Sequence, residues 1–274
     1  MKRLLRSNFI LLFIVASIAM LLKNGAEAHG PKVSEPLNRH NLSALNTIPG
    51  FLYKATNDST NNPRGQQICI FCHTPHNANV AGQTPLWNRN FSSQIFERYS
   101  SGTLQIRKIN AAQYATGAQP SGSSKLCLSC HDGVSRLGDL YSGAPITMVK
   151  DVIDGLASFK PTTNKMKSGH HPVSFVYNTE IAASINAART PIIFTMPGIT
   201  QVKLDKLSRM QCTTCHDAHQ NMSNDTECYG GTCNSTNTRK VAPFWVYDGG
   251  SGVASTDAQA VCTTCHPMNT IPWP

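Results

Sequence analysis

The sequence predicts a mostly irregular coil with a few short α-helices and minimal β-structure. Three observations lead there. Gly (19) and Pro (16) interrupt the 274-residue chain at short intervals and leave little room for long regular elements. Hydrophobic residues make up 40% and charged residues only 14%, a thin supply for an ordinary enzyme core. Of ten Cys and ten His, eight Cys and four His fall in a repeated motif, a means other than a continuous apolar core of holding a chain together.

The first 28 residues read as a secretory signal peptide. Lys2, Arg3 and Arg6 form a basic start, Phe9 to Leu22 is unbroken apolar sequence, and Ala26-Glu27-Ala28 is an A-x-A cleavage pattern. The apolar run is short of the roughly 18 residues of a membrane span, and none of the later runs reaches that length. An exported chain of residues 29–274 is expected, in the periplasm or at the extracellular surface, and not as an integral membrane protein. Export also places the thiols where they are oxidised or consumed by covalent chemistry. The Lys and Arg residues are dispersed, so the formal net charge of +9 does not point to nucleic acid.

Eight Cys fall into four copies of C-x-x-C-H: Cys69/Cys72/His73, Cys127/Cys130/His131, Cys212/Cys215/His216 and Cys262/Cys265/His266. The chemistry explains the spacing. Two thiols add to the two vinyl groups of one haem, two intervening residues let both sulfurs reach one porphyrin edge, and the next residue, His, binds the iron. Zinc also takes C-x-x-C pairs but does not require His directly after each one. Four covalently bound c-type haems are therefore expected, with proximal His73, His131, His216 and His266. Their propionates would offset the basic sequence charge.

Six other His remain: 29, 40, 76, 170, 171 and 219. His76 and His219 each lie three residues beyond a proximal His, in Cys72-His73-Thr74-Pro75-His76 and Cys215-His216-Asp217-Ala218-His219. Neither can reach the far face of its own haem, but each can reach a neighbouring one. His171, beside Pro172, is preferred to His170, and His40 lies ahead of the first motif. The expected distal ligands are thus His40, His76, His171 and His219, with His29 at the mobile chain start left out. Met ligands, which raise haem potential, are not needed with this His supply.

The motifs form two haem pairs, 69–131 and 212–266. Pro85-Leu86-Trp87 follows the first member of one pair and Pro243-Phe244-Trp245 the first member of the other. The second interval is longer and contains Cys228-Tyr-Gly-Gly-Thr-Cys233, read as a disulfide closing an insertion at about residues 223–239. Phe91, Ile95, Phe96 and Tyr99 are spaced for one helical face, and Thr179 is expected to cap a helix over 180–188. Segments 173–177 and 192–196 read as short strands, 57–62 and 248–255 as loops, and the haem motifs as single helical turns.

Ile68-Cys-Ile-Phe-Cys-His-Thr-Pro-His-Asn77, Pro85-Leu-Trp-Asn-Arg89, Cys212-Thr-Thr-Cys-His-Asp-Ala-His219 and the last Cys-Thr-Thr-Cys-His segment resemble the secreted multihaem c-type cytochromes of metal-reducing bacteria, in particular the OmcE-type tetrahaem, filament-forming group. The resemblance implies an irregular fold wrapped around a haem stack, all-His axial ligation, extracellular electron transfer and assembly as a head-to-tail homopolymer. On this reading the chain is an electron carrier and not an enzyme, and its partners are other redox proteins and copies of itself. His76 is the expected ligand across the joint between copies. A multihaem reductase with one open iron and a monomeric periplasmic shuttle are the alternatives.

Overall fold

A computed structural model of the chain describes residues 33, 34, 36, 38–81, 86–99, 119–188, 194–219, 244–247 and 254–265. Among these residues most of the chain is coil and turn. It contains five helices, α1 (Gly122–His131), α2 (Lys165–Ser168), α3 (Thr179–Ala188), α4 (Cys212–Cys215) and α5 (Ala254–Thr263), and one antiparallel ribbon, β1 (Phe175–Val176) with β2 (Arg209–Met210). The ribbon registers Phe175 opposite Met210 and Val176 opposite Arg209. Among the described residues, no helix is long and apolar enough to cross a membrane.

Apolar burial is divided among three small clusters. One joins Leu42, Ala55 and Phe71 to Leu137, Ile146, Met148 and Ile153. A second sets the α3 face of Ala182 and Ile185 on Phe175, Tyr177, Met210 and Cys265. The third gathers Phe96, Leu128, Met166 and Val173. Motif cysteines border all three: Cys72 and Cys130 the first, Cys265 the second, Cys212 the third.

Buried polar hubs do much of the work that a single core would do. Gln211 is 1% exposed; its side-chain oxygen accepts from Ser124 Oγ at 2.7 Å and from Ser174 Oγ at 3.1 Å, and its Nε2 donates to Asp205 at 2.9 Å. It also starts α4 with a capping box completed by Thr214. Gly122 begins α1 at φ +56, and a Cβ there would stand 2.6 Å from the Gln211 amide nitrogen, so glycine is required for this approach.

Several local expectations are corrected. Residues 91–99 are not helical: Phe96 is buried but Ile95 is 74% exposed. Side chains take the backbone donors instead, Gln94 N–H going to Ser92 Oγ and Phe96 N–H to Gln119 Oε1. The helix after Tyr177 begins at Thr179 and is capped one residue earlier than expected, by Asn178, whose side-chain oxygen accepts from Ile181 N–H at 2.9 Å. The strand expected over 173–177 is confined to Phe175–Val176, and residues 194–196 form none. There the Asn186 amide pairs with both the N–H and the C=O of Phe194, at 2.6 and 2.9 Å, in place of a neighbouring strand. The first and third motifs sit on single turns, but the second closes a ten-residue helix, and Cys262 and Thr263 of the fourth end another. Of the loop expected over 248–255, residues 254 and 255 are helical and the rest lies outside the described residues.

Candidate haem-binding site

The two-fold pattern in the sequence is a structural repeat at atomic level. His73 forms an isolated antiparallel bridge with Trp87, and His216 forms the same bridge with Trp245. In the first copy Thr74 N–H donates to Leu86 O at 2.9 Å and Asn88 N–H to Cys72 O at 2.9 Å; in the second Asp217 N–H donates to Phe244 O at 2.7 Å and Val246 N–H to Cys215 O at 2.9 Å. The residue before each Trp takes positive φ, Leu86 at 59 and Phe244 at 71. The bridge lays each Trp beside the motif His, with ring centres 5.8 Å apart in the first copy and 4.7 Å in the second.

Two of the expected proximal His lie close to expected distal ones. The rings of His73 and His219 are 6.1 Å apart, centre to centre, with planes 13° apart. Those of His40 and His131 are 6.2 Å apart at 75°. Two imidazoles on opposite sides of one metal, each bound at about 2.0 Å through a nitrogen about 1.1 Å from the ring centre, would have centres roughly 6.2 Å apart. Both pairs stand at that centre-to-centre spacing.

The surroundings fit such ligands. His131 engages Ala157 O through Nδ1 at 2.7 Å, leaving Nε2 for a metal. His219 sets Nδ1 3.3 Å from Asp217 Oδ1, and the carboxylate raises the His219 pKa. Burial, with His131 close by, lowers the His40 pKa to about 3 and keeps that ring neutral. His40 is positioned by a knot of buried Asn. Its N–H donates to Asn38 Oδ1 at 2.7 Å, while Asn46 Nδ2 donates to Asn38 O at 2.9 Å and Asn41 O at 2.7 Å. Its other near neighbour is Phe244, 4.2 Å away between ring centres.

Four buried polar atoms on these segments have no protein partner: His40 Nδ1, His170 Nε2, Trp87 Nε1 and Trp245 Nε1. The two indole N–H groups occupy equivalent places in the repeat, beside His73 and His216. A porphyrin carrying iron and propionates offers what such atoms lack, and the residues fit a haem on that ground. His170 rather than His171 holds the buried, unpartnered nitrogen, with Phe159 edge-on at 5.3 Å. His171 is more exposed and engages Pro172 O through Nδ1 at 2.7 Å.

The motif cysteines follow one another in space. Cys72 lies near Cys130, and burial first and that neighbour second push its thiol up to about 12. Cys127 hydrogen-bonds to Cys212, which is held down to about 7 while Cys127 is pushed well up. Cys215, raised to about 12 chiefly by burial, lies near Cys262 and Cys265. Direct contacts support the second junction, where Ser123 and Thr213 hydroxyls meet at 2.6 Å and Cys212 N–H donates to Ser124 Oγ at 3.0 Å. The fourth motif is tied instead to the 194–198 segment, where Thr195 Oγ1 donates to Thr264 O at 2.9 Å and Thr195 N–H to Cys265 O at 3.1 Å.

No disulfide joins the eight motif cysteines, and no group of three or more His, Cys, Asp or Glu converges as a metal site among the described residues. His76 is exposed, and no imidazole faces it among the described residues. His266, His29 and the Cys228–Cys233 pair lie outside the described residues, as does the signal segment. Sequence reasoning missed the Asn38/Asn46 knot, Gln211 and the buried Arg89; the Asn-rich run from Asn38 to Asn46 was the available signal for the first. No protein-family model matches the chain, and no curated protein matches it.

Proposed function

We propose that this chain is an exported electron carrier, a tetrahaem c-type cytochrome with His on both sides of its irons, built to pass electrons along a continuous row. The opposed pairs His73–His219 and His40–His131, at the spacing of ligands sharing one iron, carry the reading. Bound haems would supply one-electron redox chemistry. The chain's part is to anchor each group through two thiols, to present opposed imidazoles and to set distances between neighbours. The succession Cys72/Cys130, Cys127/Cys212, Cys215/Cys262 supports an array in motif order. His219 comes from the third motif's turn to face His73 of the first, so one short peptide holds ligands for two irons. Residues that a bond-making enzyme would need are not required by this reading.

The reading extends to head-to-tail assembly, in which exposed His76 supplies a ligand to the neighbouring copy. A heterologous contact of this kind generates an open polymer.

Mass spectrometry of the secreted protein tests the first part. Four attached haems add about 2.5 kDa after removal of residues 1–28, and electron paramagnetic resonance should show only low-spin ferric iron. A haem-free mass, or one full equivalent of high-spin iron in the assembled protein, would contradict it. Electron microscopy of the secreted fraction tests the polymer.

A further inference from the structure

Arg89 is 2% exposed. Its Nε donates to Ser129 O at 3.3 Å, Nη1 to Leu137 O at 2.9 Å and Nη2 to Arg136 O at 2.7 Å. Among the described residues, the ion pairs engage Arg136, Lys150, Lys167, Arg209 and His219, and none engages Arg89. The buried carboxylate of Asp132 is occupied by Ser92, Ser135 and Val134. Arg89 is therefore a dry cation solvated by carbonyl dipoles alone, an expensive arrangement if its only task were to tie loops together.

Its place in the chain gives it another task. Asn88, its neighbour, donates N–H to Cys72 O at 2.9 Å, and its own acceptor Ser129 immediately precedes Cys130. Arg89 thus stands where the first two motifs meet. The other junctions differ. Between motifs two and three the cation Arg209 is neutralised by Asp205 at 2.7 Å, and the segment bonded to Thr264 of motif four contributes Thr195 and Gly198, which are uncharged.

We propose that Arg89 is a tuning residue that raises the reduction potentials of the groups held by the first two motifs above those of the last two, and so gives the array a direction. The proposal rests on the haem reading. A fixed positive charge in a low-dielectric site opposes the extra charge of ferric iron and favours the ferrous state. With haems bound, one electron would pass from a ferrous centre in the C-terminal half to a ferric centre in the N-terminal half, with no bond or proton changing hands. Electrons entering elsewhere collect at the Arg89 end.

Spectroelectrochemical titration of the purified four-haem protein tests this with Arg89→Gln, which removes the charge, and Arg89→Lys, which keeps it. In Arg89→Gln, two of the four one-electron steps should lose about tenfold in ferrous-to-ferric ratio at fixed potential, equivalent to 59 mV each, while Arg89→Lys stays close to the parent. Four unshifted steps in Arg89→Gln would overturn the proposal. So would an equal shift in Arg89→Lys, which would mark the effect as packing. Should Arg89→Gln fail to accumulate with four haems, a nuclear magnetic resonance redox titration of the parent protein decides. The first electrons should settle on the groups of motifs one and two, and arrival at motifs three or four overturns the proposal. Absence of haem from the parent protein by mass would remove the underlying reading as well, whereas four haems with unshifted steps removes only this proposal.

Discussion

His73 and His219 come from opposite halves of the chain, yet their rings lie 6.1 Å apart and 13° from parallel. His219 is held by Asp217, directly after the third motif, while His73 closes the first. His40 and His131, both in the first half, stand at a similar 6.2 Å. The halves seen in the sequence are therefore joined through the one pair His73–His219.

Replacing His219 or His40 with Ala should turn one low-spin haem in four high-spin while all four remain covalently attached. Electron paramagnetic resonance with haem-stained denaturing gels would check both halves of this outcome. Loss of a haem from the gel in either variant would mean that the residue is needed for attachment and not for ligation.

On the proposed assembly, His76→Ala should keep four haems and abolish filaments, since the exposed ring would no longer reach the next copy. Filaments of normal length under the electron microscope would rule out His76 as the joint.

Gln211 links Ser124, Ser174 and Asp205 between the second and third motifs. Gln211→Ala should cost about 2–3 kcal/mol, because several buried partners lose their bonds together. Chemical denaturation followed by haem absorbance would measure it. A loss within the error of an exposed substitution would show that the network is dispensable.

Asn46→Ala removes two donations to the turn that carries His40, and Asn46 is 1% exposed. A loss of about 2 kcal/mol is expected, with a fraction of high-spin iron appearing as His40 loosens. The same stability loss with a wholly low-spin spectrum would show that His40 is held without this turn.

Acid should weaken the junction between motifs two and three. Burial alone would raise the pKa of Asp205, but bonds from Gln211 and Arg209 outweigh it and leave the group below its ordinary value. Its contribution is full above the unfolded carboxylate pKa of about 3.9 and is lost as pH falls through the lower folded value. Asp205→Asn should flatten that part of the stability curve below about pH 4. An unchanged acid limb in the variant would assign the loss to other carboxylates.

The sequence alone determined the positions of the four motifs, because two thiols and a His at fixed local spacing are read directly from neighbouring residues. It also exposed the Pro-x-Trp repeat, whose bridges His73–Trp87 and His216–Trp245 the fold then forms. The scarcity of regular structure was legible too, since Gly and Pro act on the backbone within a few residues. Tertiary structure decided whatever depended on distant partners. Residues 91–99 carry a helical apolar spacing, but Ser92 and Gln119 take their backbone donors, and residues 194–196 pair with the Asn186 side chain instead of with a strand. The partnership of His219 with His73 and the enclosure of Arg89 are likewise meetings of segments far apart in the chain. Local composition encodes short-range constraint, whereas ligand pairing and the burial of a lone charge arise only when separate segments exclude water from the same place.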